Sequence, residues 1–318
     1  MPYRLSVSLR KRLLQLAIAL GLLAGLEGAA RLVPISDDPS RLFSLYGANG
    51  YERINQLPDA TAFLTSAHQL LESDTALMWR LRPGMTMDAA TLSLGSAKDW
   101  HIEIGPDARR LPTATESRVV ALGDSCTFGW GVEGVESWPA RLSAVNLGVP
   151  GYSSVQGATV AQRDLPGLGP SVVIAAFGAN DGHAVTVEDA ARLAGRQTTV
   201  GRLRYQVAQL QIVTRIRAAR FPRWAVGQVS AWKSGEATVR VTPQRYRQAL
   251  DDIRAQAERM VLLDVCARDE YRVVMADLAG APGVDLVRYA DLGGETLDGC
   301  HPTPEGHRRI AEALQAML

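Results

Sequence analysis

The sequence predicts an α/β fold, a three-layer sandwich around a mainly parallel sheet of five strands, and two observations carry that prediction. First, five short apolar runs recur at residues 118–122, 144–147, 171–177, 260–265 and 283–287, separated by helical stretches. Short, nearly continuous apolar strands are what a parallel sheet covered on both faces requires, because neither face meets water. Second, the intervening helices carry start signals. Thr303-Pro304 and Thr242-Pro243 each set a threonine N-cap before a proline at the first helical position. With 318 residues, 47% of them hydrophobic, the chain can bury one sizeable domain and still leave an extra segment.

Three parts follow in chain order: an N-terminal signal-anchor or transmembrane segment (1–33), an accessory or connecting segment (34–116) and the main α/β domain (117–318). In the first part, Arg4, Arg10, Lys11 and Arg12 precede a run at 13–26 that is apolar apart from Gln15. A basic flank, an apolar stretch and then the small residues Gly28-Ala29-Ala30 form the pattern of an export signal. The run reaches spanning length only by continuing to Val33 and tolerating Glu27 and Arg31. Retention as a single anchor in the inner membrane is the favoured reading, with the four cations cytoplasmic and the remainder periplasmic. Export followed by cleavage is the alternative.

In the accessory segment, residues 61–72 read as helix, with Phe63, Leu64, Leu70 and Leu71 apolar. Residues 76–81 and 100–104 read as short strands, with Pro83-Gly84 and Gly105-Pro106 as turns. A small layer packed on the main sheet is expected here. Between Phe177 and Met260 lies more chain than one crossover needs. Within that insertion Leu203, Val207, Leu210, Val213 and Ile216 give an approximate helical stripe, and the insertion is expected to overhang the carboxyl edge of the sheet. Its arginines (Arg202, Arg204, Arg215, Arg217, Arg220, Arg223) read either as a solvated helix face or as a contact for anionic lipid or glycan.

The candidate chemistry sits on loops. The apolar run Val119-Val120-Ala121-Leu122 stops at Gly123-Asp124-Ser125, with room for a helix to start directly after it. That corner presents the Ser125 hydroxyl at the carboxyl end of a strand, where open α/β sheets bind ligands, with helix-start N–H groups aimed at the same place. Three further blocks follow in order: Asn146-Leu147-Gly148-Val149-Pro150-Gly151, Gly178-Ala179-Asn180-Asp181 and Asp298-Gly299-Cys300-His301.

Together these four blocks resemble the SGNH (GDSL-type) hydrolase family over about residues 117–318. The resemblance implies a serine esterase that forms an acyl-enzyme on a flavodoxin-like, mainly parallel sheet. Ser125 matches the nucleophile, Asp298 and His301 the closing acid and base, and Gly151 and Asn180 the oxyanion-hole residues beside the Ser125 N–H. Chemistry fits each role. A serine hydroxyl needs a base, imidazole serves near neutral pH, and a carboxylate three residues earlier can fix its tautomer. Asp124 and Asp181 read as structural hydrogen-bonding residues, and His183 as either a pocket or a surface residue.

No cofactor or metal is expected. Cys126, Cys266 and Cys300 lack metal-type spacing and read as small buried hydrophobes, or as the source of one disulfide in an oxidising compartment. Formal charge is +1, with no footprint for nucleic acid, so the expected partners are an acylated small molecule or glycan and the inner membrane. Three functions remain open: hydrolysis of an ester such as an O-acetyl group on an envelope glycan, acyl transfer to such a glycan, or a non-catalytic membrane-tethered assembly or glycan-binding role.

Overall fold

The computed structural model describes residues 7–32, 47–52, 69–88 and 100–318. The accessory part contributes two antiparallel pairs: β1 (Leu71–Asp74) with β2 (Met78–Leu81), and β3 (Thr86–Asp88) with β4 (His101–Glu103). The main sheet is built from β5 (Val119–Gly123), β6 (Val145–Gly148), β7 (Val172–Ala176), then, after a short pair β8 (Ala184–Val185) and β9 (Thr238–Val239), β10 (Arg259–Asp264) and β11 (Val284–Arg288). Its order is β11-β10-β7-β5-β6 and all four pairings are parallel. Every predicted sheet strand is present to within about one residue at each end. The fold is α/β with a flavodoxin-like strand order, and the order reverses at β5, which opens a crevice at the carboxyl ends of β5 and β7.

Alternation along the strands explains the layers. Val120 and Leu122 of β5, with Met260 and Leu262 of β10, face one buried cluster. Ala121, Val261 and Leu263 face the other. The helices Ser154–Leu168, Pro243–Arg254 and Asp269–Leu278 cover the first face, and Trp138–Arg141 and Pro304–Gln315 the second. Both predicted threonine caps form: Thr303 Oγ1 accepts from Gly306 N at 3.0 Å and Thr242 Oγ1 from Arg245 N at 3.4 Å. Leu77, Met78, Trp79, Trp100 and Ile102 of the accessory part are buried in the same cluster as β5.

Two local expectations need correction. Residues 61–68 of the expected 61–72 helix lie outside the described residues, and Leu71 and Glu72 belong to β1. Cross-strand pairing with β2 overrides their helical pattern, and Leu71 packs in the core. The stripe in the insertion is not one helix either. Helix Thr199–Ala208 ends before a second helix, Gln211–Lys233, begins, and Leu203, Val207 and Ile216 are exposed. The insertion leaves and rejoins the sheet edge where Val241 N donates to Asp181 O. Its helices dock on the Ser154–Leu168 helix, on β1–β2 through Arg196, whose Nη1 donates to Asp74 O at 2.9 Å, and on the N-terminal helix.

That N-terminal helix runs from Val7 to Leu32. Its stretch Lys11–Leu32 is long and apolar enough to cross a membrane, with a mean hydropathy of 1.8, and is almost wholly exposed. Glu27, the residue the span had to tolerate, is buried. Its carboxylate pairs with Arg31 and accepts from Gln211 N (3.0 Å) and Ile212 N (3.1 Å), capping the start of the long insertion helix.

Candidate active site

The site begins at the end of β5. Gly123 is required there: a Cβ would fall 2.7 Å from Ala176 O of β7 and onto the Thr127 hydroxyl. Asp124 then caps a single helical turn, Ser125–Phe128, by accepting from Cys126 N at 2.9 Å, and Gly129 ends the turn in a left-handed conformation. The Ser125 side chain projects from the first residue of that turn. His301 Nε2 lies 2.8 Å from Ser125 Oγ, and His301 Nδ1 lies 2.7 Å from Asp298 Oδ2. Three residues drawn from two blocks 176 positions apart thus form one continuous chain of hydrogen bonds.

The loop that carries the histidine is itself fixed. Asp298 Oδ1 accepts from Cys300 N (3.2 Å) and His301 N (3.0 Å), and Leu297 N donates to His301 O at 2.7 Å. Burial by itself would raise the Asp298 carboxyl. The His301 hydrogen bond and charge, with the two backbone donors, outweigh it and hold the group down at about 2. Asp298 is therefore an anion at any working pH.

Asn180 bridges two elements. Its Nδ2 donates to Asp124 Oδ2 at 2.9 Å and, at longer range, to Tyr152 O at 3.3 Å. Asn180 thereby ties the Ser125 corner to the Gly151 turn. Gly151 has φ +78°, a conformation a Cβ would strain. Asp124 is buried and its carboxyl is raised to about 6, chiefly by burial. Asp181 holds the base of the same loop by accepting from Ser154 N, Ser154 Oγ and Gly178 N. His183 is half-buried, and its N–H donates to Asn180 O.

Sequence reasoning missed three supports. Arg240, fully buried, donates Nη1 to Gly151 O (2.7 Å), Nη2 to Gln156 Oε1 (2.8 Å) and Nε to Asp189 Oδ2 (2.8 Å). Trp130 sets its ring 5.9 Å from that of His301. Arg110, from the accessory segment, donates to Phe128 O, Gly129 O and Val132 O, fixing the loop that bears Trp130; burial pulls its guanidinium down to about 9. An arginine within a run of apolar residues, as in Thr238-Val239-Arg240-Val241, is the one local signal that pointed to a buried ion pair.

The cysteines converge behind the site. Cys266, just after β10, forms a disulfide with Cys300 beside His301. The free Cys126 Sγ lies 3.9 Å and 3.8 Å from their sulfurs. These three are the one grouping among the described residues with metal-ligand geometry, and two of them are bonded to each other. Burial pushes the Cys126 thiol well up, so it stays protonated.

The profile of the GDSL-like lipase/acylhydrolase family matches residues 121–309, more than half of the chain. The chain belongs to that family. This GDSL-like acylhydrolase is accordingly a serine hydrolase acting on ester bonds. Among solved structures it is similar to TesA (18% identity, TM-score 0.41, 63% of this chain and 97% of that one). It is also similar to the esterase EstA from Pseudoalteromonas sp. (13%, 0.39, 62% and 94%). A third is a catalytic mutant of Axe2, an acetylxylan esterase from Geobacillus stearothermophilus (14%, 0.38, 64% and 94%). No curated protein sequence matches it.

Proposed function

We propose that this acylhydrolase cleaves O-acyl esters through a Ser125–His301–Asp298 triad, and that it works on the outer face of the inner membrane on an acyl group such as acetate carried by an envelope glycan. The hydrogen-bond chain from Asp298 through His301 to Ser125 carries the reading. Ser125 Oγ attacks the ester carbonyl carbon while His301 Nε2 takes its proton. Asp298, ionised and bonded to Nδ1, holds the tautomer and stabilises the imidazolium. The tetrahedral oxyanion is received by the Ser125 and Gly151 N–H groups and by Asn180 Nδ2, whose 3.3 Å bond to Tyr152 is the weaker and the one the oxyanion replaces. Collapse breaks the carbonyl–alkoxy bond, and the leaving oxygen takes the proton from His301. Water, deprotonated by His301, then attacks the acyl-Ser125 ester and releases the acid.

The placement rests on the apolar run at 13–26 and on the cations Arg4, Arg10, Lys11 and Arg12 that precede it in the sequence. The N-terminal helix's capping contact through Glu27 favours retention over cleavage, because removal of the segment would leave the N-terminus of the Gln211–Lys233 helix without that carboxylate. The glycan follows from the placement alone. Full-length protein in detergent, given a nitrophenyl acetate, an acetylated glycan and an active-serine probe, tests the whole reading. Ester turnover and probe labelling that both vanish in Ser125→Ala support it. Acetate released from the glycan supports the substrate class, whereas acetate appearing on an added acceptor glycan makes the enzyme a transferase. Turnover that survives Ser125→Ala sinks the mechanism.

A further inference from the structure

The chain has 34 basic and 33 acidic residues, yet between residues 190 and 235 it has nine basic and none acidic. This acid-free stretch is the helical insertion, and the remainder of the protein is net acidic. The stretch also carries exposed apolar side chains: Val200, Leu203, Val207, Ile216, Trp224 and Val226. Cations interleaved with exposed aliphatic and tryptophan side chains suit a surface set among lipid headgroups, where guanidinium groups meet phosphates and apolar side chains meet the acyl boundary. Solvated faces do not need the tryptophans.

Within the insertion is a cavity of about 490 Å³, lined among others by Arg192, Arg196, Arg204, Arg217, Tyr205 and Thr198. No carboxylate is among its described lining residues. Arg192 keeps a 3.4 Å ion pair with the buried Asp189 behind the wall, and the Arg196 guanidinium lies 5.7 Å from the Tyr205 ring. Arg204 and Arg217 are exposed at the rim, and Val200 belongs to the same lining. Four guanidinium groups around one concavity match an oxygen-rich anion that accepts several donors at once, which is a phosphate.

Continuity with the N-terminal helix says where that phosphate comes from. The end of the apolar helix is fastened to the start of the Gln211–Lys233 helix through Glu27, and Arg215 Nη2 donates to Ala30 O at 3.4 Å. A membrane-spanning helix that ends on this insertion holds it at the level of the headgroups. We infer that the four-arginine cavity binds the phosphate headgroup of an anionic membrane phospholipid, and that the insertion helices lie on the bilayer beside the anchor. Trp79 is also in the cavity wall, and its Nε1 donates to Pro150 O at 3.2 Å, so the bound lipid is one wall away from the Gly151 turn. The inference rests on the N-terminal helix being an anchor. That reading fails separately, if the full chain is recovered in the soluble fraction of cells.

The test uses full-length protein, depleted of lipid in a non-ionic detergent. It is titrated with mixed micelles of phosphatidylglycerol or phosphatidylcholine, or with inorganic phosphate, while tryptophan fluorescence is followed. Saturable binding of phosphatidylglycerol roughly tenfold tighter than phosphatidylcholine is the expected result. Arg204→Gln with Arg217→Gln should weaken it by about tenfold while nitrophenyl-ester turnover stays at the wild-type level, since neither residue belongs to the triad or the oxyanion donors. Both side chains are exposed, and the single Arg204→Glu change provides a second variant should the pair melt early. Equal binding of the two lipids, or phosphatidylglycerol binding undiminished in both variants, overturns the inference. Inorganic phosphate binding as tightly as phosphatidylglycerol assigns a free anion and overturns the lipid claim.

Discussion

Ser125 and Cys126 are neighbours with opposite environments, and the difference is the reason the proposed mechanism makes Ser125 the nucleophile. Ser125 Oγ meets the imidazole at 2.8 Å, whereas the Cys126 thiol is buried against the Cys266–Cys300 bridge and kept protonated. Ser125→Ala should abolish turnover and active-serine labelling, and Cys126→Ala should retain most of both. The reverse result would reassign the nucleophile. On the proposed mechanism Asn180→Ala should lower kcat by roughly a hundredfold or more with KM little changed, because there its amide meets charge that exists only in the transition state. A raised KM with unaltered kcat would place Asn180 in ground-state binding. Asp298 has a carboxyl held at about 2, below its ordinary range near 4. It is ionised across any neutral assay range, so the acid limb of the pH–rate profile belongs to another group. On the proposed mechanism Asp298→Asn should lower turnover severely while the protein stays folded, and His301→Ala should lower it further, to the level of Ser125→Ala. Turnover in His301→Ala at the wild-type rate would exclude His301 as the base.

Elements are locked to one another by buried polar groups, and these set the acid and mutational limits of the fold. His307, on the last helix, accepts from Trp138 N at 3.2 Å, and burial first, with the Arg110 charge second, pushes its pKa down to about 3. The unfolded chain binds this proton near pH 6.5 and the folded protein only near pH 3. The associated stability is full above about 6.5 and is lost as pH falls toward 3, by up to roughly 5 kcal/mol. His307→Asn should flatten the fall of Tm between pH 6.5 and 4, whatever its effect at neutral pH, and an unchanged slope would remove His307 as the cause. Arg240 joins the Gly151 turn to the insertion. Arg240→Met removes the fully buried partner of Asp189, leaving it the 3.4 Å Arg192 pair and the Ser153 hydroxyl, and should cost about 3 kcal/mol in denaturant unfolding. A loss below about 1 kcal/mol would mean that Asp189 finds other compensation.

For the molecule as a whole, topology and attachment go together. A reporter fused after Leu318 should be active only if it functions in the exported compartment, and full-length protein should sediment with the inner membrane. Cytoplasmic reporter activity would overturn the glycan-ester reading along with the anchor. The accessory segment should not be removable as a linker would be, since Trp79, Trp100 and Arg110 are buried against the layer that holds Ser125 and Trp130.

The sheet and the candidate site were legible along the chain because both are written in local code. An apolar strand buried on two faces reads as a short apolar run, and a Gly-Asp-Ser corner, a glycine turn and an Asp-x-x-His loop each act through residues a few positions apart. Asn180 was legible as a candidate, but its bonds to Asp124 and Tyr152, across 56 and 28 residues, were not. Pairings over such distances have no local signature. Arg240 with Asp189 and Gly151, Arg110 under the Trp130 loop, and Cys266 with Cys300 were all decided by which elements the sheet order brings together. Residues 71–72 and the insertion stripe mark the same limit from the other side: helical periodicity is weak where strand pairing or docking on a neighbour releases more free energy than the local pattern does. Glu27 is the sharpest case. By sequence it is a charge the apolar helix must endure, and only the packed structure makes it the cap of another helix 184 residues away.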